Sequence, residues 1–156
     1  MTKKLILILS LLLVFYGINN WTFLHARLIT KEVCAFGEKI KFGNVQELKT
    51  FFTTDGKLYY RSQELSCEDA FINLKKKIDQ RKFTGLIYVG NHQKVSKSYA
   101  IVSLAGGFDI EGYNYEASGI AELKNEGLFN WKIAKLSSDN PAFGYAFFNT
   151  SVPPRE

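Results

Sequence analysis

The sequence predicts an α+β fold in which three helical segments pack on a curved, mainly antiparallel sheet, preceded by a hydrophobic N-terminal helix. Apolar residues recur with helical spacing over the first half of the chain and with a spacing of two from residue 84 onward. The chain has 156 residues, 46% of them apolar, and a domain usually has ~100–200 residues. One globular domain behind the N-terminal helix is therefore predicted.

The chain opens with a segment typical of export. Lys3 and Lys4 precede an apolar run from Leu5 to Ile18, and the next formal charge is Arg27. Positive charges before an apolar segment keep the N-terminus in the cytoplasm and send the C-terminal remainder of the chain across the membrane. We therefore expect the rest of the chain in the cell envelope, facing the periplasm or the cell exterior.

Two fates of this segment remain open. The apolar run alone has the length of a cleaved signal peptide, whereas extension through Leu24 gives the ~20 residues of a membrane-spanning helix. Cleavage after Ala26 would place Leu24 where cleavage sites have a small residue, which favours a retained anchor. Residues 1–24 are thus predicted as a signal peptide or a single transmembrane anchor, and residues 27–156 as the domain.

The first domain helix is predicted from about Phe23 to Phe42, where Gly43 ends it. Its apolar face consists of residues at steps of four, three and four: Ile29, Val33, Phe36 and Ile40. Asn44 is a suitable N-cap for a short second helix, Val45–Phe52. Two helical segments thus precede the first strand.

A turn, a strand and a third helix come next. Asp55-Gly56 predicts a turn before a short strand, Lys57–Arg61. Ser66 with Asp69 is a capping pattern that opens the helix Cys67–Lys82. The apolar positions of this helix fall on one side: Phe71, Leu74 and Ile78.

The second half of the domain is predicted to be a succession of strands. These are Thr84–Val89, Lys97–Ile110, Tyr113–Lys124, Leu128–Ser137 and Phe143–Phe148. Short connections such as Gly90-Asn91 and Glu126-Gly127 allow antiparallel neighbours and leave no room for helical crossovers. The faces expected to meet the helices carry Phe129, Trp131 and Ile133, and Tyr113, Tyr115, Ala117 and Ala121.

These elements, in this order, resemble nuclear transport factor 2-like domains. The stretch Gly43–Tyr60 (GNVQELKTFFTTDGKLYY) is similar to the second helix and first strand of that family. The helix Cys67–Ile78 resembles its third helix, and Gly119–Leu136 (GIAELKNEGLFNWKIAKL) resembles its last long hairpin, where a W-[KR]-I strand comes after a charged turn. The resemblance covers roughly Arg27–Ser138.

The resemblance implies a cone-shaped fold with a pocket between the concave sheet and the helices. It implies no single activity, because this scaffold carries isomerases, dehydratases, ligand binders, dimerising modules and secretion-apparatus subunits. Enzymes of the family place an Asp or a His in the pocket. Here Asp109 and Glu111 lie at a strand end and are expected to be solvated turn acids, and His92 is expected in a solvent-exposed loop.

Aromatic residues are more numerous than a small core requires, so some are predicted to line a pocket for a small apolar ligand. The candidate lining residues are Tyr59, Phe71, Tyr88, Tyr99, Tyr113, Tyr115 and Trp131. No catalytic residue, cofactor or metal site is predicted. The two histidines, His25 and His92, have no metal-ligating neighbours at suitable spacing.

Two features of the domain allow alternatives. In an oxidising compartment Cys34 and Cys67 are predicted to form a disulfide, although two separate buried thiols are equally compatible with the sequence. The apolar run Phe143–Phe148 is predicted as a strand, either covered as the last strand of the sheet or exposed for pairing with another chain.

The predicted function is that of a non-catalytic, exported or membrane-anchored binding or interaction module, such as a subunit of an envelope assembly or an immunity-type protein. The alternative is a pocket enzyme of the isomerase or dehydratase type, or a binder of a small apolar ligand. The expected partners are the membrane, through residues 5–24, and a protein partner or a second copy of the chain. Nucleic acid is not expected, because Lys3 and Lys4 supply part of the net charge of +5 and the remainder is diffuse.

Overall fold

The computed structural model describes residues 2–154, without the side chains of residues 2–5 and 18–20. A single helix, α1 (Thr2–Lys41), precedes the short helix α2 (Val45–Leu48) and a 3-10 turn (Lys49–Phe51). The other helices are α3 (Cys67–Asp79) and α4 (Pro141–Phe148). The strands are β1 (Phe52–Tyr60), β2 (Gln63–Ser66), β3 (Phe83–Val95), β4 (Tyr99–Ile110), β5 (Tyr113–Asn125) and β6 (Trp131–Ser138).

The strands form one six-stranded sheet in the order β2-β1-β6-β5-β4-β3. All neighbours are antiparallel except β1 and β6, which are parallel. The helices cover one face of this curved sheet, and we call the opposite face the outer face. The predicted α+β fold with a mainly antiparallel sheet is confirmed.

Helix α1 combines the apolar N-terminal segment and the first domain helix without interruption. The predicted face is buried in the core: Ile29, Val33, Phe36 and Ile40. Helix α1 crosses β3 at Gly37, where an added Cβ would lie 1.9 Å from the Ile87 carbonyl oxygen. Glycine is therefore required at this crossing, because any side chain would push the helix away from the sheet.

The pair Asp55-Gly56 was predicted as a turn, and this prediction is wrong. Both residues lie inside β1, whose register with β6 shifts between Phe52 and Lys57. This register shift accommodates Asp55-Gly56 within the strand, and pairing with β6 continues from Lys57 onward. The actual reversal occurs at Arg61, which has a φ of 54°, and it leads into the unpredicted strand β2.

The strand predicted at Phe143–Phe148 is a helix. The Asn140 side chain caps α4 by accepting hydrogen bonds from the backbone N–H groups of Ala142 (2.9 Å) and Phe143 (3.4 Å). Pro141 occupies the first turn, where a missing N–H costs nothing. Because this run is helical and buried, it offers no open strand edge for another chain to pair with.

The cap of α3 is confirmed, since the Ser66 side chain accepts a hydrogen bond of 3.1 Å from the Asp69 backbone N–H. The helix ends at Asp79, three residues before the predicted end. The pair Gly90-Asn91 does not connect two strands, because both residues lie inside β3 at a register shift. This bulge redirects the next residues of β3 toward α1.

Candidate functional site

The space between the sheet and the helices is filled by α4. The rings of Phe143 and Phe147 pack with their centroids 4.7 Å apart. At Gly144 the helix lies so close to β1 that an added Cβ would be 2.5 Å from the Tyr60 ring. The remaining cavity of about 10 Å³ is bordered by apolar side chains of β3, β4, β5 and α4, including Ile87 and Phe143. It has room for about one water molecule.

Ionisable groups do not face this cavity. Among the described residues, the buried polar or charged side chains are His25, Thr53 and Ser138. Asp109 accepts a hydrogen bond from the Gly112 backbone N–H (3.0 Å), so it serves the β4–β5 turn. Glu111 lies 3.6 Å from Lys82 at the surface. No carboxylate is thus positioned as a general base inside this part of the domain.

The structure distributes the seven aromatic residues predicted to line a pocket over several parts of the domain. Phe71 packs on Phe52 in the core, and Trp131 is buried beside α1. Tyr113 and Tyr115 line a separate surface groove near Pro153, to whose carbonyl the Tyr115 hydroxyl donates a hydrogen bond of 3.2 Å. The remaining three lie on the outer face: Tyr59, Tyr88 and Tyr99.

A groove of about 550 Å³ lies on the outer face. Its floor is a cross-strand row in register on β1, β6, β5 and β4, formed by Tyr59, Ser137, Ile120 and Ser103. The serines leave space above the sheet because their side chains are short, and Ile120 is 40% exposed. Arg61 and Asp139 supply opposite charges on the groove wall. We call this feature the outer groove.

A polar network borders the outer groove. The Tyr99 hydroxyl donates a hydrogen bond of 2.6 Å to Glu122 Oε2, and Lys135 Nζ lies 3.1 Å from Glu122 Oε1. Lys135 Nζ also lies 5.0 Å from the centroid of the Tyr59 ring. The hydrogen bond to the carboxylate raises the pKa of Tyr99 to about 12 and lowers the pKa of Glu122. Glu122 is therefore an ionised, ordered group at the edge of the outer groove.

His25 joins α1 to the sheet. It is 1% exposed, and its Nδ1 accepts a hydrogen bond of 3.2 Å from Trp131 Nε1. The rings of Trp21, Phe129 and Trp131 lie 5.2 to 5.4 Å from the His25 ring, and the buried Nε2 has no hydrogen-bond partner. Burial lowers the pKa of His25, and the charge of Lys97 lowers it further. This role of His25 was not predicted from the sequence. The signal for it is helical spacing, because His25 precedes the buried Ile29 by four residues.

His92 is not in a solvent-exposed loop, as was predicted, but lies half-buried in β3. Its Nε2 is within hydrogen-bond distance of two atoms of α1, Thr30 Oγ1 (3.1 Å) and the Ala26 carbonyl oxygen (3.2 Å). The bulge at Gly90-Asn91 turns His92 toward the helix. Both histidines therefore hold α1 against the sheet.

The two cysteines are free thiols, so the structure does not contain the predicted disulfide. The Cys67 thiol instead donates a hydrogen bond of 3.0 Å to the Gly56 carbonyl oxygen, and burial raises its pKa to about 12. The disulfide was predicted from the cellular compartment and the sequence separation of the two cysteines, and neither determines the direction in which a thiol points. No group of three or more metal-ligating side chains occurs among the described residues.

Helix α1 is the one described helix that is long and apolar enough to cross a membrane. A signal sequence near the N-terminus has the same length and composition, so these properties fit both a retained membrane anchor and a cleaved signal peptide. The apolar side chains of residues 6–16 are largely exposed, so the rest of the domain does not cover them.

No family model and no curated protein matches the sequence, whereas many solved structures share its fold. Rv3472, a protein of unknown function from Mycobacterium tuberculosis, is similar with a TM-score of 0.64 at 13% identity over 78% of this chain and 74% of that one. A putative scytalone dehydratase from Novosphingobium aromaticivorans DSM 12444 has a TM-score of 0.60 at 16% identity over 76% and 85%. A nuclear transport factor 2-like superfamily protein from Salmonella enterica serovar Typhimurium LT2 has a TM-score of 0.59 at 13% identity over 78% and 94%. The chain therefore has the nuclear transport factor 2-like fold.

Proposed function

We propose that the protein is a non-catalytic binding module, held in the cytoplasmic membrane by α1 with its nuclear transport factor 2-like domain outside the cytoplasm. The observation that carries this proposal is the filled interior. In this fold the space between sheet and helices is where a small substrate would sit, and here α4 leaves only about 10 Å³. Recognition of a binding partner would therefore take place on the surface of the domain.

The membrane part of the proposal rests on α1. Lys3 and Lys4 precede its apolar part, so the rule that positive charges stay inside directs the domain outward. The helix continues from the apolar segment into the core, where Ile29 and Val33 are buried. Removal of the segment would cut this helix close to His25, which favours a retained anchor over a cleaved signal.

The outer groove is the proposed recognition surface for a protein partner. It combines an exposed apolar centre at Ile120 with charged groups, Arg61 and Asp139, on its wall. Such a mixture suits a peptide segment or a second copy of the chain better than a small apolar ligand. A subunit of an envelope assembly and an immunity-type protein both require a surface of this kind.

The second candidate is a pocket enzyme of the isomerase or dehydratase type, which the name of the Novosphingobium neighbour favours. That activity requires an open interior and an acid or base facing it. The packing of Phe143 and Phe147 and the absence of a buried carboxylate among the described residues weigh against it.

Site-specific photo-cross-linking in intact cells tests the recognition surface. A photoreactive amino acid at Ile120 is expected to give a discrete covalent product with a protein. The matched control is Ile72 on α3, which is also exposed but lies away from the outer face, and it should give none. Products from Ile72 and none from Ile120 would place recognition elsewhere.

Protease accessibility tests the orientation. A C-terminal epitope should be lost when protease is added to cells whose outer envelope has been opened, while cytoplasmic proteins stay intact. Protection of the epitope until the cytoplasmic membrane is dissolved would contradict the proposed orientation.

A further inference from the structure

Three segments of the chain meet at the point where α1 leaves the domain. They are Trp21 of α1, the β3–β4 turn at Lys97, and the β5–β6 turn at residues 126–130. The Trp21 and Phe129 rings have their centroids 5.5 Å apart, and Lys97 Nζ lies 5.7 Å from the centroid of the Trp21 ring. These three segments form one end of the domain, which we call the base.

The two turns of the base are tied together by Asn125. Its backbone N–H donates a hydrogen bond of 3.0 Å to the Ser98 carbonyl oxygen, and its side-chain amide donates one of 2.9 Å to the Lys97 carbonyl oxygen. Within the β5–β6 turn, the Glu126 backbone N–H donates to the Asn130 carbonyl oxygen (2.9 Å). The base is therefore a shaped surface rather than a set of independent loops.

Leu128, at the tip of the β5–β6 turn, is 96% exposed, which exceeds the exposure of every other large apolar side chain that the structure describes. The next residue, Phe129, has a φ of 69°, in the left-handed region that aromatic residues rarely adopt. This backbone places the Phe129 ring against Trp21 and His25 and leaves Leu128 on the outside. Folding of the domain does not account for a leucine in that position.

The direction of α1 identifies what covers Leu128. From Trp21 toward its N-terminus, the helix presents apolar side chains such as Phe15 and Leu11 on its surface. If these residues lie in a bilayer, the base faces the same bilayer. Trp and Lys are the side chains that favour the lipid headgroup level, and Trp21 and Lys97 adjoin each other there.

We propose that the base docks on the lipid bilayer, with Leu128 entering the boundary between headgroups and acyl chains and Lys97 reaching the lipid phosphates. This inference rests on the proposed membrane anchoring by α1 and adds a second contact between the protein and the bilayer. The exposed charges close to the base are mainly positive: Lys94, Lys97 and Lys124, against Glu126. The domain is thereby held at a fixed orientation, and the outer groove always points in the same direction relative to the membrane.

The test uses the full-length chain reconstituted in vesicles of phosphatidylcholine and phosphatidylglycerol whose acyl chains carry bromine, a short-range quencher of tryptophan fluorescence. The variant Leu128→Trp adds a reporter at the tip, where its exposure leaves the fold undisturbed. The control, Phe42→Trp, replaces a residue that is 69% exposed just after the opposite end of α1, ~30 Å from Trp21 along the helix. The tryptophans of the unchanged chain give the baseline for both.

We expect quenching of the added tryptophan at 128 to be at least about twofold stronger than at 42, because an interfacial side chain lies within about 10 Å of the acyl chains. Flotation of the same vesicles reports anchoring separately. A chain that floats with the vesicles but shows equal quenching at the two positions would overturn docking of the base and leave the anchor intact. A chain that does not float would overturn the anchor, and docking with it.

Discussion

At the scale of single residues, the contact between His25 and Trp131 connects the N-terminal helix to the sheet. Trp131 Nε1 donates to His25 Nδ1, so this nitrogen has to be unprotonated. Protonation would put two N–H groups opposite each other in a buried aromatic cluster. Burial and the charge of Lys97 lower the pKa of His25, so the folded state also disfavours the charged form for reasons separate from this contact.

This arrangement predicts a pH-dependent stability. The pKa of His25 in the folded state lies below the ordinary histidine value of 6.5, so its contribution is complete above that pH and is lost as the pH falls through the folded-state pKa. We expect the midpoint of thermal unfolding of the full-length chain to drop between pH 7.5 and the acid range in which His25 becomes protonated. The variant His25→Phe retains a ring but does not titrate there, and should show a smaller drop. An equal drop in both chains would assign the effect to groups other than His25.

A second prediction at this scale concerns the Trp131 ring. It is 2% exposed, and Trp131→Ala should lower the free energy of unfolding by ~3–5 kcal/mol through lost packing and a residual cavity. Chemical denaturation measures this change. The control is Leu128→Ala, which should change stability by less than about 0.5 kcal/mol because Leu128 is exposed. An unchanged denaturation curve for Trp131→Ala would remove this ring from the core.

At the scale of elements, α4 decides what the interior is able to hold. It occupies the space under the sheet, and its contact with β1 depends on Gly144. A helix in this position explains why every residue from Ala142 to Phe148 is buried. A helix buried on all sides carries no apolar period, and this is why the sequence alone suggested a strand.

Substitution at Gly144 tests the role of α4. An added methyl group in Gly144→Ala would meet the Tyr60 ring, so we expect a loss of ~1–3 kcal/mol in the free energy of unfolding, although alanine favours helix formation. Gly107→Ala on β4 is the matched control, because nothing lies within 4 Å of its added Cβ. Equal stability of the two variants would mean that α4 does not pack closely on β1.

The elements that the sequence predicted well are those with a local signal. The steps between Ile29, Val33, Phe36 and Ile40 determined the buried face of α1, and the Ser66 cap determined the start of α3. The failures depend on contacts between distant segments. Asp55-Gly56 lies inside β1 because the strand pairs with β6 on both sides of it, at Phe52 and at Lys57. For β2, four residues are too few to show a pattern.

The candidate site was less accessible from the sequence. Alternation along a strand assigns Tyr59 and Tyr60 to opposite faces, but it does not say which face is covered. The outer groove arises from short side chains such as Ser103 and Ser137 at matching register positions, on a sheet whose curvature no local pattern encodes. The cluster around His25 joins residues more than one hundred positions apart in the chain.

At the scale of the whole molecule, one continuous helix is combined with a domain whose interior is filled. The helix passes from an apolar segment directly into the core, so the domain would share any tilt of the helix in the membrane. With the proposed anchoring, the base and the outer groove would have fixed positions relative to the bilayer. A chain cleaved after Ala26 would lose this geometry, because α1 would begin at Arg27 and would lack both Trp21 and His25.

The measurement that tests membrane retention of the intact helix most directly is the intact mass of the protein from cells, determined separately in alkali-washed membranes and in the soluble fraction. We predict the full-length chain of 17.8 kDa in the washed membranes. A shortened chain that lacks residues 1–26 and is recovered in the soluble fraction would contradict it.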